Sequence, residues 1–111
     1  MTVLETSVGA AGDHTVLRVA GEVDLANAAE LETAVEQALG ESAGPLVVDL
    51  AELAYIDSAG LAALHGATRR IEERGGSVVM VVPDDCPCAR TFAVAAFDWP
   101  VATAWPAGDR S

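Results

Sequence analysis

The sequence predicts a single α/β domain with a four- to five-stranded, mostly parallel sheet that opens with an antiparallel hairpin. Three observations support this fold class. The chain has 111 residues, of which 51% are hydrophobic, so it is long enough for one domain with a real core. Strand-like and helix-like segments alternate in the order β-β-α-β-α-β-α-(β), as in sheets that carry helices. Two of the later strand-like runs are almost wholly apolar, which is typical of buried parallel strands.

The hairpin is predicted from two alternating segments near the N-terminus. Residues Thr2 to Ser7 and His14 to Ala20 alternate apolar and polar side chains. Between them, Gly9 to Asp13 is rich in glycine and predicts a turn. The two segments are therefore expected to pair with each other.

The first helix is predicted after the segment Gly21 to Asp24. Apolar residues recur there at spacings of three and four, at Leu25, Ala28, Leu31, Val35 and Ala38. Asp24 or Asn27 is expected to cap its N-terminus. Gly40 suits the left-handed residue that follows a last helical turn.

A buried strand and a second helix are predicted in the middle of the chain. Leu46 to Leu50 is a short apolar run, and a loop from Ala51 to Asp57 is expected to follow it. The second helix should begin near Ser58 and stop at Gly75-Gly76. Its expected buried stripe is Leu61, Leu64, Thr68 and Ile71.

The last third of the chain predicts a strand, a helix and an edge strand. Ser77 to Val82 is apolar and β-rich. Asp84 and Asp85 are expected to cap a third helix, with Pro87 in its first turn. That helix would contain Phe92, Val94 and Phe97. An edge strand between Pro100 and Trp105 would complete a domain at residues 1-105, and residues 106-111 are expected to form a flexible tail.

The charge of the chain constrains its partners. There are 17 acidic and 6 basic residues, which gives a net charge of -11. Such a surface repels nucleic-acid backbones and anionic membranes, so we expect no direct nucleic-acid binding, and it would attract a basic patch on a protein partner. No apolar run is long enough to cross a bilayer and the N-terminus lacks a basic signal region, so we expect no membrane insertion and a cytoplasmic location.

Two cysteines, Cys86 and Cys88, are separated by one proline. This spacing differs from a C-x-x-C redox pair, and a disulfide between residues so close together would be strained. Two thiols without further ligands make a poor zinc site. We therefore expect two reduced thiols and no metal, and a redox role stays an open alternative.

The most informative position is Ser58, at a predicted helix start just after a buried strand. Sites in open α/β sheets form beyond the carboxyl ends of the strands. A helix N-terminus has unpaired N–H groups, which a serine hydroxyl can cap for about 1 kcal/mol and which can equally hold a phosphate. Ala59 and Gly60 are small and would let a partner approach the backbone closely.

Catalysis at Ser58 has little support. The nucleophile motif G-x-S-x-G is absent, because Ile56 occupies the position of its first glycine. His14 belongs to the hairpin, and His65 would lie about 10 Å along the same helix, too far to act as a base. The sequence therefore predicts no catalytic residues, no cofactor and a non-enzymatic protein; a small serine hydrolase is the alternative.

Four segments together resemble the STAS domain, and more narrowly the bacterial anti-sigma factor antagonists. They are Gly21-Glu22-Val23-Asp24, Leu46-Val47-Val48-Asp49-Leu50, Tyr55-Ile56-Asp57-Ser58-Ala59-Gly60-Leu61 and Gly75-Gly76. The resemblance extends from the first strand to about Phe97, and its most specific part is the Asp-Ser-x-Gly-Leu block at residues 57-61. It implies a STAS-like fold with the helices packed mainly on one face of the sheet.

The resemblance also implies a function. In that family, a partner that is both anti-sigma factor and serine kinase phosphorylates the residue matched by Ser58. The unmodified antagonist binds this partner and releases the sigma factor, the phosphorylated form does not bind, and a serine phosphatase restores it. The partner-binding residues carried over are Asp24, Asp57, Ser58, Ala59, Gly60 and Leu61.

The chain departs from the family pattern at two places. Ala59 stands where a serine or threonine is common, and residues 96-100 lack the usual Gly-Leu pair before the last strand. The family also contains members that are not phosphorylated. The alternative function is therefore that of a non-phosphorylated accessory subunit of a membrane transport complex.

Overall fold

A computed structural model of the protein describes residues 3-39, 45-95 and 101-102. The elements in chain order are β1 (Leu4–Ala11), β2 (His14–Val23), α1 (Ala28–Leu39), β3 (Leu46–Ile56), α2 (Ser58–Glu73), β4 (Val78–Val81), α3 (Ala89–Ala95) and β5 (Val101–Ala102). Within the described residues they form one five-stranded sheet of order β1-β2-β3-β4-β5. Only β1 and β2 pair in antiparallel fashion, and the other neighbours are parallel. The predicted α/β class with a mostly parallel sheet is confirmed.

The core lies mainly between one face of the sheet and the helices. Alternate strand residues such as Leu17, Val48 and Met80 pack there against Leu31 of α1 and Leu64 of α2. The opposite face carries a smaller cluster, made of Ala11, Val16, Val47 and Val81 with Val79 beside it. Among the described residues this second cluster contains only strand residues, so the prediction that the helices pack mainly on one face is confirmed.

The hairpin is longer and tighter than the sequence suggested. Its strands pair from Leu4 opposite Gly21 to Ala11 opposite His14, which leaves a loop of two residues, Gly12 and Asp13. Gly12 has a φ of 60°, a left-handed conformation that glycine adopts without steric cost. The predicted five-residue turn was therefore wrong, because Gly9 to Ala11 extend the strand.

The strand β3 continues to Ile56, and the predicted loop from Ala51 to Asp57 was wrong. The parallel register with β2 jumps twice: Arg18 faces Asp49 but Ala20 faces Glu52, and Gly21 faces Leu53 but Glu22 faces Tyr55. Each jump inserts one extra residue into β3, as a β-bulge does. The buried positions consequently move from Leu50 to Leu53 and then to Ile56. The Asp49 carboxylate accepts a hydrogen bond from the Ala51 N–H at 3.0 Å and supports the first irregularity.

The helix α2 follows the prediction closely. All four expected stripe residues, Leu61, Leu64, Thr68 and Ile71, are buried. The helix ends at Glu73, and Gly75 then adopts a φ of 87°. The N–H groups of Gly75 and Gly76 donate to the carbonyls of Glu72 and Ile71, each at 3.0 Å. This Schellman arrangement satisfies the last carbonyls of the helix.

The helix α3 is shorter than predicted. It begins at Ala89 rather than after Asp84-Asp85, because residues 84-88 form turns in which the Ala89 N–H donates to the Cys86 carbonyl. Phe92 is buried, and β5 pairs with β4 as an edge strand. Gly40, Phe97 and the segment 103-111, including the tail predicted at 106-111, lie outside the described residues. The domain boundary at residue 105 stays a prediction.

Candidate partner-binding site

A single residue, Asp57, joins β3 to α2 and caps the helix. Its backbone is extended, with φ -105° and ψ -172°, and its carboxylate accepts a hydrogen bond from the Gly60 N–H at 3.0 Å. A cap of this kind stabilises a helix by about 1 kcal/mol. Ser58 is the first residue of the helix and is exposed. The interpretation of Ser58 as the cap was therefore wrong, and the serine hydroxyl is left for other chemistry.

The end of β2 holds the start of α2 in place. Val23 faces Ile56 in the sheet, and the Asp57 N–H donates to the Val23 carbonyl at 3.2 Å. Asp24 follows Val23 directly, so this bond brings the β2–α1 loop next to the helix start. Asp24 is thus one residue away from the carbonyl that holds Asp57 at the start of α2.

The β2–α1 loop is braced by Asn27, whose side chain is buried. The Asn27 amide accepts from the Asp24 N–H and donates to the Glu22 carbonyl, each at 3.0 Å. The Asp24 carboxylate accepts from the Ala26 N–H at 2.9 Å. Asn27 does occupy the position just before α1, but its side chain turns back into the loop. Its role is to fix the conformation in which the loop presents Asp24.

Two exposed side chains near the site were missed by the sequence reasoning. Leu25 was assigned to the buried stripe of the first helix, but it lies in the loop before α1 and is 83% exposed. Tyr55, one residue before the end of β3, is 51% exposed. Large apolar or aromatic side chains at a protein surface are typical anchors of protein interfaces. The sequence did contain a signal for them, because Leu25 directly follows Asp24 and Tyr55 lies two residues before Asp57.

Gly60 and Leu61 serve the packing of α2. A Cβ atom added at Gly60 would lie 2.6 Å from Ile56 Cγ1 and 2.7 Å from Val23 Cγ1. Glycine is therefore what allows the helix to approach the ends of β2 and β3, rather than an opening for a partner. Leu61 is buried in the main core. The accessible part of the expected site consists of Ser58 with the partly exposed Asp24, Asp57 and Ala59.

The histidines lie away from the serine. His14 begins β2 at the end of the sheet opposite Val23, and His65 is seven residues along α2 from Ser58. No group of three or more potential metal ligands occurs within residues 3-39, 45-95 and 101-102. Chemically, the described site offers an exposed hydroxyl at the positive end of a helix, next to the residue whose carboxylate caps that helix.

The two cysteines are free and buried beneath α3. Their Sγ atoms lie 3.8 Å apart, and the Cys88 thiol lies 3.8 Å from the Leu50 carbonyl oxygen. Burial, and secondarily the neighbouring Cys86, raise the pKa of the Cys88 thiol to about 12. At neutral pH this thiol is protonated and therefore a weak nucleophile.

In the described part of the chain, the helices are all too short or too polar to cross a membrane.

Comparison with known proteins identifies the family. Residues 6-99 match the family model described as "Mlab, STAS domain". The anti-sigma-B factor antagonist of Listeria monocytogenes is 34% identical over 68 residues, which are 61% of this chain and 60% of the relative. The chain thus matches less than two thirds of this curated relative.

Solved structures share the fold over a longer range. An anti-sigma factor antagonist from Mycobacterium paratuberculosis superposes with a TM-score of 0.73 at 26% identity, over 92% of this chain and 87% of the other. The phosphorylated form of the Bacillus cell fate determinant SpoIIAA has a TM-score of 0.61 at 17% identity, over 93% and 92% of the two chains, which shows the fold alone. Because the family model covers most of the sequence, the chain belongs to the STAS domain family.

Proposed function

We propose that this domain is an anti-sigma factor antagonist regulated by phosphorylation of Ser58. Unmodified, it binds an anti-sigma factor that is also a serine kinase and thereby releases a sigma factor. The observation that carries the proposal is the exposed Ser58 hydroxyl at the first position of α2, with Asp57 supplying the cap. The similarity to anti-sigma factor antagonists and the Asp-Ser-x-Gly-Leu block support it.

The binding surface would be centred on the start of α2. Asp24, Asp57, Ser58 and Ala59 supply its polar and small-residue part, while the buried Gly60 and Leu61 support it from below. The exposed side chains of Leu25 and Tyr55 would add apolar contact area. The net charge of -11 favours a partner that presents basic residues to this surface.

Phosphorylation would block binding through local charge. A phosphate adds about -1.5 to -2 charges, which the start of a helix tolerates, so the fold is expected to survive. An interface that buries the serine would have to bury this charge as well, at a cost of several kcal/mol. Asp24 and Asp57 would add repulsion. A loss of about 3 kcal/mol weakens binding roughly a hundredfold.

The cycle needs a serine phosphatase to restore the unmodified form. Because the kinase uses ATP and the domain carries two free thiols, we place it in the cytoplasm. Neither phosphorylation nor binding, as proposed, requires the domain to hold a cofactor or a metal.

The proposal is tested by intact-mass spectrometry and calorimetry with the anti-sigma kinase encoded in the same genome. We expect one phosphate on the parent and on the exposed-serine control Ser77→Ala, and none on Ser58→Ala. In the presence of ATP, Ser58→Ala should bind the kinase as tightly as the parent binds it before phosphorylation. Ser58→Asp should bind at least about tenfold more weakly, because it adds one charge at the same position.

Two outcomes would contradict the proposal. Equal phosphorylation of the parent and Ser58→Ala would move the modified residue elsewhere. Equal affinity of Ser58→Asp and the parent would rule out the charge-based block.

A second candidate is a non-phosphorylated accessory subunit of a membrane transport complex. It stays open because the chain belongs to the STAS domain family, which contains members that are not phosphorylated. In that case an active anti-sigma kinase would neither bind nor phosphorylate the domain, and a pull-down would recover transporter subunits. The calorimetric experiment above therefore separates the two candidates.

A further inference from the structure

A groove opens between α2 and α3, next to Ser58. Its volume is about 510 Å³, and its described lining residues are Leu61, Pro87, Arg90, Thr91, Val94 and Ala95. We call it the α2–α3 groove. The family resemblance assigns this groove no role. Of its described lining residues, only Leu61 was among the partner-binding residues expected from the sequence.

We propose that the α2–α3 groove is a second part of the partner interface and receives a segment of the protein partner in which an acidic side chain stands next to an apolar one. This inference rests on the proposed function and adds to it, because it assigns contacts beyond the serine and the two aspartates.

The groove is continuous with the serine surface. Leu61 lies three residues after Ser58 on α2, so the two positions are neighbours on adjacent turns of one helix. The helices α2 and α3 follow the neighbouring parallel strands β3 and β4. Their N-terminal ends therefore lie along the same edge of the sheet, where a single partner can reach both.

The apolar part of the groove is accessible. Val94 is 75% exposed although it lies within α3, and Pro87 at the other end is exposed as well. Ala95 is partly exposed beside them. A helix normally directs polar residues to solvent, so an exposed valine in a concave surface is typical of a contact site.

The charge of the groove differs from that of its surroundings. Arg90 lines it and forms no ion pair with any described residue, whereas Arg18 lies near Asp49 and Arg70 pairs with Glu32 and Glu36. The remaining described arginines, Arg69 and Arg74, lie near the C-terminal end of α2. Among the described residues, Asp24, Asp57, Asp84 and Asp85 lie within four residues of the C-terminal ends of β2, β3 and β4.

The positive charge of Arg90 therefore lies on the same edge of the sheet as several negative charges. A partner with basic residues over the serine surface and one acidic residue over Arg90 would match it in a single orientation. Complementary patterns of this kind fix the register of an interface and disfavour other partners. The occupant is therefore a protein segment with an acidic side chain rather than another basic one.

The test uses two groove variants of the full chain, each with a matched control. Arg90→Glu is compared with Arg69→Glu, an identical charge change on an exposed residue of α2. Val94→Asp is compared with Val8→Asp, since Val8 on β1 is 60% exposed against 75% for Val94. The probe is the anti-sigma kinase bound by the unmodified parent, and the readout is the Kd from calorimetry at low and high salt. Urea unfolding is used to check that all four variants fold.

Both groove variants should bind at least about tenfold more weakly than the parent, and both controls within about twofold of it. The Arg90→Glu effect should shrink at high salt, because exposed ion pairs are screened.

Parental affinity of both groove variants, with Ser58→Asp still weakened, would overturn the groove and leave the proposed function standing. If the unmodified parent itself fails to bind an active anti-sigma kinase, both proposals are wrong. If light scattering shows a dimeric parent and a monomeric Val94→Asp variant, the occupant is a second copy of this chain, and the partner-segment proposal is overturned.

Discussion

At Gly60, the absence of a side chain determines how closely α2 approaches the sheet. The space that a Cβ would need is taken by Val23 and Ile56, the last buried residues of β2 and β3. These are also the residues whose pairing holds Asp57, and with it Ser58. The position of the candidate phosphorylation site is therefore fixed by contacts beneath it that a partner never touches.

We expect Gly60→Ala to lower the free energy of unfolding. Overpacking costs about 1–3 kcal/mol, and the helix preference of alanine offsets about 1 kcal/mol of it, so the net loss should be at most about 2 kcal/mol. Urea unfolding measures it. Gly9→Ala is the matched control, because a Cβ added there meets nothing within 4 Å. Equal urea midpoints for the two variants would show that Val23 and Ile56 move aside to make room for the added methyl group.

At the scale of elements, an ion-pair cluster ties α1 to α2. The Arg70 guanidinium contacts both Glu32 and Glu36, the latter at 3.0 Å. Hydrogen bonds that the Arg70 guanidinium donates to the carboxylates of Glu36 and, secondarily, Glu32 raise the pKa of Arg70 above its ordinary value. Gly66 leaves room for this cluster, since a Cβ there would lie 3.3 Å from Glu32 Oε2. The contact joins the two helices at a distance from the serine site.

Arg70→Gln should lower the urea midpoint slightly at low salt and leave it unchanged at high salt. The reason is that Arg70 is partly exposed, and solvent and salt screen such pairs. Arg69→Gln, at the neighbouring exposed arginine, is the control for loss of a positive charge. A shift that persists at high salt would mean that Arg70 contributes through packing of its aliphatic stem instead.

At the scale of the whole molecule, the two thiols belong to the core beneath the three described helices. Cys86 and Cys88 lie in the same cluster as Leu50 and Phe92. Burial explains why the pKa of Cys88 is raised, since the thiolate loses its hydration there. This environment stabilises the protonated thiol and makes the folded chain sensitive to alkali.

The stability of the parent should fall between pH 9 and about pH 12. The thiol has an ordinary pKa of 9.0 and a raised value of about 12 in the folded chain, so unfolding releases a proton in this range. Below pH 9 both states keep the proton and the full stability is present. Urea midpoints measured across this range should decline less steeply for Cys88→Ala than for the parent. Parallel declines would show that Cys88 titrates normally in the folded chain.

The sequence predicted most of the architecture but not its irregular parts. The regular spacing of Leu61, Leu64, Thr68 and Ile71 gave the buried side of α2 correctly, because a straight helix keeps its period. The end of β3 was missed because two bulges break the period of two between Leu50 and Ile56. A pattern that changes phase twice in seven residues does not look like a strand.

The candidate site was predicted in part for a similar reason. Asp57 and Ser58 are both good capping residues, and only the backbone geometry shows that Asp57 takes that position. Leu25 was predicted on the first helix because it fits the helical spacing of the apolar residues that follow it. It lies instead in the loop whose conformation Asn27 fixes. The groove beside Arg90 depends on residues from two helices that only the fold brings together.

The one-residue connection between β3 and α2 has a consequence for the enzymology of modification. Ser58 cannot be presented as part of an extended strand while Asp57 is bonded to both Val23 and Gly60. An enzyme that acts on it must accommodate a folded helix start. For such an enzyme we expect a linear peptide copying residues 52-65 to be a poorer phosphate acceptor than the folded domain, because the free peptide lacks the bond from Asp57 to Val23.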